Sequence, residues 1–401
     1  MELPVSTPLS ELTARITNLQ ASLRTMGMDG AMILQNTDLF YFSGTIQQGH
    51  LYIPAEGKPV FMVHKSFPRA RMESSLGTLI RLDSPKSVMS LIQKNGLKPP
   101  TVMGMELDVM PANTYFYYKK LFPQVEIRDV SPAIRMIRSV KSAYELDLIR
   151  QAAVFSGQWA EMVPDMLKVG MTEIEFAGLM EAEARRLGHQ GLVRMRMWGA
   201  EMFYGHLMAG PSAAVPSCIP SPTGGPSVSP ALGQGPGFRK IQPGDLVLFD
   251  YVFAWKGYIS DCTRIFSVGE PAPDMVRAHT AILDLQAHLK PMGKPGIRAG
   301  ELYREAVAFM TEKGFSENFM GAGEDRVRFI GHGVGLELDE LPVIADGQTM
   351  ELKAGMTIAL EPKLIFPGVG VVGIENTHLV TPDGFAQLTH AKEEIVVVPV
   401  R

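Results

Sequence analysis

Two cysteines, Cys218 and Cys262, are all that the 401 residues contain. That excludes a disulfide framework and a cysteine-built zinc site, so any metal must be held by His, Asp and Glu. Also missing is any run approaching the ~18 apolar residues of a membrane helix. The N-terminus has no basic region followed by an apolar stretch and a small-residue cleavage site. Charge of one sign is not in excess either, since 38 Lys and Arg face 42 Asp and Glu for a formal net charge of −4. Nothing in that balance calls for nucleic acid or an anionic membrane as partner. Together these absences lead to the expectation of a cytoplasmic protein.

What is present describes a globular chain, 46% hydrophobic and 20% charged. Its length makes two domains the natural expectation. The 25 methionines are read as gap-filling core. The segment "PLSELTARITNLQASLRTMGMDGAMIL" has the periodicity of an amphipathic helix running into an apolar strand. Short apolar runs follow between Gly, Pro and polar turns, which predicts a small α/β domain over residues 1–138. Ser142 with Glu145, and Thr172 with Glu175, then form two capping-box patterns, each opening a helix, the second closed by Gly188. Residues 139–401 are expected to be the second domain, with long helices near 274–292 and 299–314 and strand-like sequence from 327 onward. The Pro-, Gly- and Ser-rich stretch 209–240 is too long for a turn. It is either a mobile surface loop or the wall of a pocket.

Five residues carry chemistry. In "GDLVLFDYVFAWKGYISDCTRIFSVG" two apolar runs flank a hairpin turn. With Trp255 and Lys256 as a two-residue loop, Asp250 faces Asp261 directly. Cross-strand neighbours have Cβ atoms ~4.5–5.5 Å apart, and two carboxylates there repel unless a cation lies between them. Glu361 stands at the end of the apolar strand "MTIALEPKLIF" and Glu375 inside "GVGVVGIENTHLV". An ionised group in either setting needs a partner, and one salt bridge each would supply it. His332 lies between two glycines in "GHGVGLELDELP". Taken together, four carboxylates and one imidazole suit Mn, Co, Zn or Fe in a dinuclear site.

These segments, in this order, resemble the creatinase and methionine aminopeptidase superfamily with its "pita-bread" fold, and within it bacterial Xaa-Pro peptidases of the dipeptidase and aminopeptidase P type. "IRSVKSAYELDLIRQAA" and "KVGMTEIEFAGLME" look like the helices that open the catalytic domain. The resemblance spans nearly the whole chain. It implies an α/β (α+β) fold, with a small creatinase-type N-terminal domain followed by a catalytic domain built on a curved antiparallel sheet. It further implies two divalent ions, Mn foremost, held by Asp250, Asp261, His332, Glu361 and Glu375, with Asp261 and Glu375 bridging. Water activated between the ions would attack a scissile carbonyl, and Glu361 would pass a proton to the leaving amine. The implied substrate is a short peptide or small amide, and the implied assembly a homodimer in which the N-terminal domain closes over a neighbouring site, where Tyr41 or His50 could contribute. The glycines around His332 are read as permitting close backbone approach to substrate and metal.

Three positions depart from the family. Asp339 stands where these peptidases usually carry a histidine that donates to the developing oxyanion; an ionised aspartate can only accept. Ser217 stands in place of a His, and Gly373 in place of an Arg. His206 could replace the lost imidazole, although an ordinary exposed or core histidine is the simpler reading, and Arg264 is expected to pair with neighbouring carboxylates. The metal ligands are therefore complete while the substrate-facing groups have changed. Three functions stay open: a peptidase of altered specificity, with Asp339 accepting from a substrate amine; a C–N hydrolase or lyase on the same scaffold, with Asp339 as base; and a metal-free binding protein, against which four clustered carboxylates argue.

Overall fold

The computed structural model describes residues 6–202 and 204–400. The chain forms two compact units, divided between Arg138 and Ser139. In the first unit, β1 (Gly30–Ile33), β2 (Gly49–Pro54), β3 (Val60–Val63), β4 (Leu79–Arg81), β5 (Val102–Met105) and β6 (Glu126–Asp129) form one mixed sheet in the order β4-β3-β2-β1-β5-β6. The helix Leu9–Thr25 buries Leu12, Ile16, Leu19 and Leu23, the spacing of one helical face. Tyr41 is buried on the helix Asn36–Ser43 with the Arg15 guanidinium 4.2 Å from its ring centre. His50 is buried on β2, with Nε2 2.6 Å from the Tyr118 hydroxyl. Both side chains belong to this unit's interior.

The second unit opens on the two helices the capping boxes announce. Ser142 and Glu145 exchange bonds at the start of Ala143–Glu161, Thr172 and Glu175 do so at the start of Glu173–Leu187, and Gly188 ends that helix at φ 101°. Its strands are β7 (Gly205–Ala209), β8 (Leu246–Trp255), β9 (Tyr258–Val268), β10 (Phe329–Gly333), β11 (Glu340–Ala345), β12 (Thr357–Leu360), β13 (Lys363–Phe366), β14 (Gly370–Gly373), β15 (Glu375–Thr381), β16 (Gly384–Gln387) and β17 (Val396–Val398). Nine of them form one curled sheet along the path β11-β10-β12-β15-β9-β8-β7, with β16 on β15 and β17 on β9; β13 and β14 form a separate hairpin. All its pairings are antiparallel except β17 with β9.

Two apolar clusters hold the sheet in shape. Trp159, stacked on Tyr251 at 4.5 Å, anchors the two opening helices to β7–β9. The helices Pro273–Leu289 and Ala299–Glu312 pack Leu285, Leu289, Leu302 and Met310 against residues of β10–β14. Among the described residues no helix is long and apolar enough to cross a membrane.

The β8–β9 hairpin corrects the expected register. Trp255 pairs with Tyr258, so the loop is Lys256-Gly257, and Asp250 faces Thr263 while Asp261 faces Val252. Lys256 and Gly257 have φ of 49° and 93°. Positive φ at both central residues is the type I′ turn that matches strand twist, and a Gly at its second position favours it. The register therefore slips by two residues. Side chains alternate with period two, so both aspartates stay on one face as diagonal neighbours.

Candidate active site

Each acidic residue reaches the site through a main-chain ladder. Asp261 is fixed by Thr377, whose hydroxyl accepts from the Asp261 amide at 2.9 Å and donates to its carbonyl at 3.0 Å. Glu375, at the start of β15, faces Thr263 across the sheet, and the Thr263 hydroxyl donates to Glu375 Oε2 at 2.9 Å. Glu361 lies just beyond β12, its amide held by the Ile330 carbonyl at 2.9 Å. His332 sits on β10 between β11 and β12. The neighbouring strands leave no room for a side chain on the glycines beside it. A Cβ on Gly331 would stand 2.4 Å from the Ala359 carbonyl oxygen, and one on Gly333 2.3 Å from that of Leu341.

The five residues expected as ligands come together at the floor of an open cavity of about 610 Å³, counting solvent at its mouth. His332 Nε2 lies 3.5 Å from Glu361 Oε1 and 3.9 Å from both Asp261 Oδ2 and Glu375 Oε1. Glu375 Oε1 is buried and accepts no hydrogen bond. Asp261, His332 and Glu375 offer ligand atoms that all lie within 4.8 Å of one another, and with the Glu375 oxygen orphaned this trio fits a divalent cation.

On the Asp250 side the carboxylates already close around a cation of the chain itself. Lys363 Nζ donates to Glu361 Oε2 at 2.7 Å and lies 3.2 Å from Asp250 Oδ2 and 3.4 Å from Glu375 Oε2. Its side chain is 1% exposed. Sequence reasoning passed over this residue, although a lone lysine in the apolar run "LEPKLIF" calls for a partner by the same logic that singled out Glu361.

The charges shift one another. Burial, with the charge of Asp250 next, pushes Asp261 up to about 7. Burial and then Asp261 push Glu375 well up. Burial alone would raise Asp250, but the Lys363 and His206 charges bring it below the usual carboxylate value. Burial opposes protonation of His332, yet Asp339, Glu361 and Asp261 outweigh it and raise the imidazole.

Asp339 lines the cavity, at φ 63° in the left-handed region, which Asp, Asn and His tolerate better than most residues. Its Oδ1 lies 3.6 Å from His332 Nδ1, whose nearer partner is the Gly333 carbonyl at 3.2 Å. The aspartate thus faces the ring nitrogen that points away from the cation position, where a carboxylate orients a ligating histidine. The turn that carries it is held by Glu340, which accepts from the Leu336 amide at 2.9 Å and pairs with buried Lys141 at 2.9 Å.

His206 lines the cavity while being buried in the sheet. It pairs with Asp250 across β7 and β8 and leaves Nδ1 without a hydrogen bond; burial keeps it below the usual imidazole value. Ser217 does not line the cavity and donates to the Gly233 carbonyl. The loop that carries it does, through Ile219, Pro220, Ser221 and Gln234, so the 209–240 stretch is a wall. Arg264 corrects an expectation. Fully buried, it donates to the carbonyls of Thr263 and Glu375 at 2.7 and 2.9 Å and to Asn376 Oδ1 at 2.8 Å, where carboxylate partners were expected.

Known proteins share this fold. The chain is 28% identical to an Xaa-Pro dipeptidase of Lactobacillus delbrueckii subsp. lactis, over 96% of this chain and 98% of that protein. It superposes on an Xaa-Pro dipeptidase from Bacillus anthracis with a TM-score of 0.81 at 22% identity, covering 96% and 99% of the two chains. It superposes on the dipeptidase PepE of Mycobacterium ulcerans with a TM-score of 0.78 at 25% identity, covering 99% and 100%. Residues 15–140 match the creatinase/prolidase N-terminal domain. Residues 147–382 match the metallopeptidase family M24, and the chain belongs to that family as a metallopeptidase with the pita-bread fold.

Proposed function

We propose that this chain hydrolyses the N-terminal peptide bond of Xaa-Pro dipeptides or similarly short peptides with a divalent metal ion, Mn foremost, at the His332 site. The observation that carries this reading is the convergence of Asp261, His332 and Glu375, whose ligand atoms lie within 4.8 Å of one another in the cavity wall with Glu375 Oε1 orphaned. The names of its relatives support the substrate class. The family resemblance implies a dinuclear centre, with Asp250 on the second ion; the His332 side fits an ion, while the Asp250 side surrounds Lys363. A divalent cation there would supply charge to polarise a scissile carbonyl and to acidify a water.

The chain's own groups do the rest. Glu361 faces both the cavity and the cation position and is suited to carry a proton to the leaving amine. Asp339, an acceptor at the cavity wall, is suited to a substrate ammonium or amide N–H. His206 lines the cavity beside Asp250, its buried Nδ1 without a protein partner. Apolar Val252 and Leu338 line the same cavity and suit a prolyl ring. A second reading rests on Asp339 alone: as a base, it would serve a C–N hydrolase or a lyase on this scaffold.

Mass spectrometry of Mn-loaded protein with a mixed library of Xaa-Pro dipeptides and longer peptides separates these readings. Metal-dependent release of N-terminal residues, absent in Asp261→Ala, is expected. Silence across the library from metal-loaded protein would refute the peptidase and move the function to Asp339-centred chemistry.

A further inference from the structure

We propose that the Lys363 ammonium is a built-in replacement for the second metal ion, so that this chain binds one divalent cation, on the His332 side. The inference rests on the reading of that side as a cation site.

Three carboxylate oxygens surround Nζ, from Glu361 at 2.7 Å, Asp250 at 3.2 Å and Glu375 at 3.4 Å. An ammonium has three N–H donors, one for each. Two of these carboxylates are shared: Glu361 and Glu375 turn Oε2 to the lysine and Oε1 toward His332 Nε2. Each therefore spans the ammonium and the cation position.

A metal ion bound by these oxygens at the ~2.0–2.2 Å typical of carboxylate ligands would need the space Nζ fills. It would also stand against a positive charge.

The backbone makes room for this lysine. Lys363 pairs with Gly373 across β13 and β14. A Cβ at residue 373 would stand 2.6 Å from Lys363 Cγ. The position that lacks a side chain is thus the one the lysine's stem crosses on its way to the carboxylates.

The test is metal stoichiometry. Protein stripped with chelator, reloaded with Mn(II) and desalted is measured by inductively coupled plasma mass spectrometry and by electron paramagnetic resonance. Wild type is expected to hold one ion per chain with the spectrum of an isolated Mn(II), and Lys363→Ala to hold two with the spectrum of a coupled pair. Asp250→Asn, read in parallel in case Lys363→Ala does not fold, is expected to keep one ion, because Asp250 faces the lysine. Two ions in wild type would overturn the inference and leave the metal-peptidase reading standing. One ion in folded Lys363→Ala, or loss of the ion in Asp250→Asn, would also overturn it. No ion in wild type would overturn both readings.

Discussion

Glu361 is held from two sides: its Oε2 accepts from the Lys363 ammonium at 2.7 Å, and its Oε1 lies 3.5 Å from His332 Nε2. Glu361 thus links a fixed internal charge to the cation position. Its orientation does not depend on metal alone, since the lysine contact would persist in the metal-free protein.

Gly373 should be coupled to Lys363. Gly373→Ala puts a methyl 2.6 Å from Lys363 Cγ and 2.8 Å from the Pro362 carbonyl oxygen, and overpacking of this kind costs about 1–3 kcal/mol. Adding Lys363→Ala removes the first clash and leaves the second. Urea denaturation of the two single variants and the double variant should show a coupling of at least about 0.5 kcal/mol. Simple additivity would mean that the lysine's path does not depend on the glycine.

If the missing oxyanion donor limits the rate, Asp339→His should raise hydrolysis of Xaa-Pro peptides. The left-handed backbone at φ 63° accepts histidine. The substitution replaces an acceptor with a donor at the cavity wall, and one such donor is worth about 10²–10³ in rate where it is well placed. A gain in kcat of at least about tenfold is expected from steady-state kinetics. An unchanged or lower rate would show that Asp339 serves substrate or His332 directly.

Arg264→Met should destabilise the sheet beneath the site. It removes the donors to two buried carbonyls and to Asn376 Oδ1. Asn376 Oδ1 keeps the Thr389 hydroxyl at 2.8 Å, so at about 1–3 kcal/mol for each of the two carbonyls a loss of at least about 2 kcal/mol is expected. Calorimetry should record a fall in Tm of at least about 4 °C. Because one of those carbonyls belongs to Glu375, Mn(II) affinity should weaken as well. A stable variant with unchanged affinity would count against this role.

Acid should destabilise the second unit through His378. Burial pushes this imidazole down to about 3 from an ordinary 6.5. The unfolded chain therefore binds a proton below pH 6.5 that the folded chain refuses. The stability tied to neutral His378 is fully present above pH 6.5 and is lost as pH falls from there toward about 3. The slope is at most about 1.4 kcal/mol per pH unit for this one group. Denaturant unfolding at pH 7 and pH 5 should show a smaller difference in His378→Leu than in wild type. Equal differences would place the acid sensitivity elsewhere.

Local signals in the sequence carried the helices and the cluster of acidic residues. Ser142 with Glu145 and Thr172 with Glu175 announce helix starts because a capping box involves only neighbours in the chain. Asp250, Asp261, Glu361 and Glu375 were visible because ionised groups in apolar strands need partners. The exact facing of Asp250 and Asp261 was not, because the turn at Lys256-Gly257 fixes the register, and a slip of two residues leaves the hydrophobic pattern unchanged. Arg264 and Lys363 show a second limit. Both are buried cations near acidic residues, yet one bonds carbonyls and the other bonds carboxylates, which depends on which sheet face each side chain leaves. His206 joined the site through its pairing with Asp250, a contact 44 residues apart in the chain that no local pattern records.

Anomalous diffraction from Mn-loaded crystals, recorded at the Mn edge, tests the central claim most directly. A single peak bounded by His332 Nε2, Asp261, Glu361 and Glu375, with Lys363 still among Asp250, Glu361 and Glu375, is the expected result. Two peaks with the lysine displaced, or no peak within reach of His332, would contradict it.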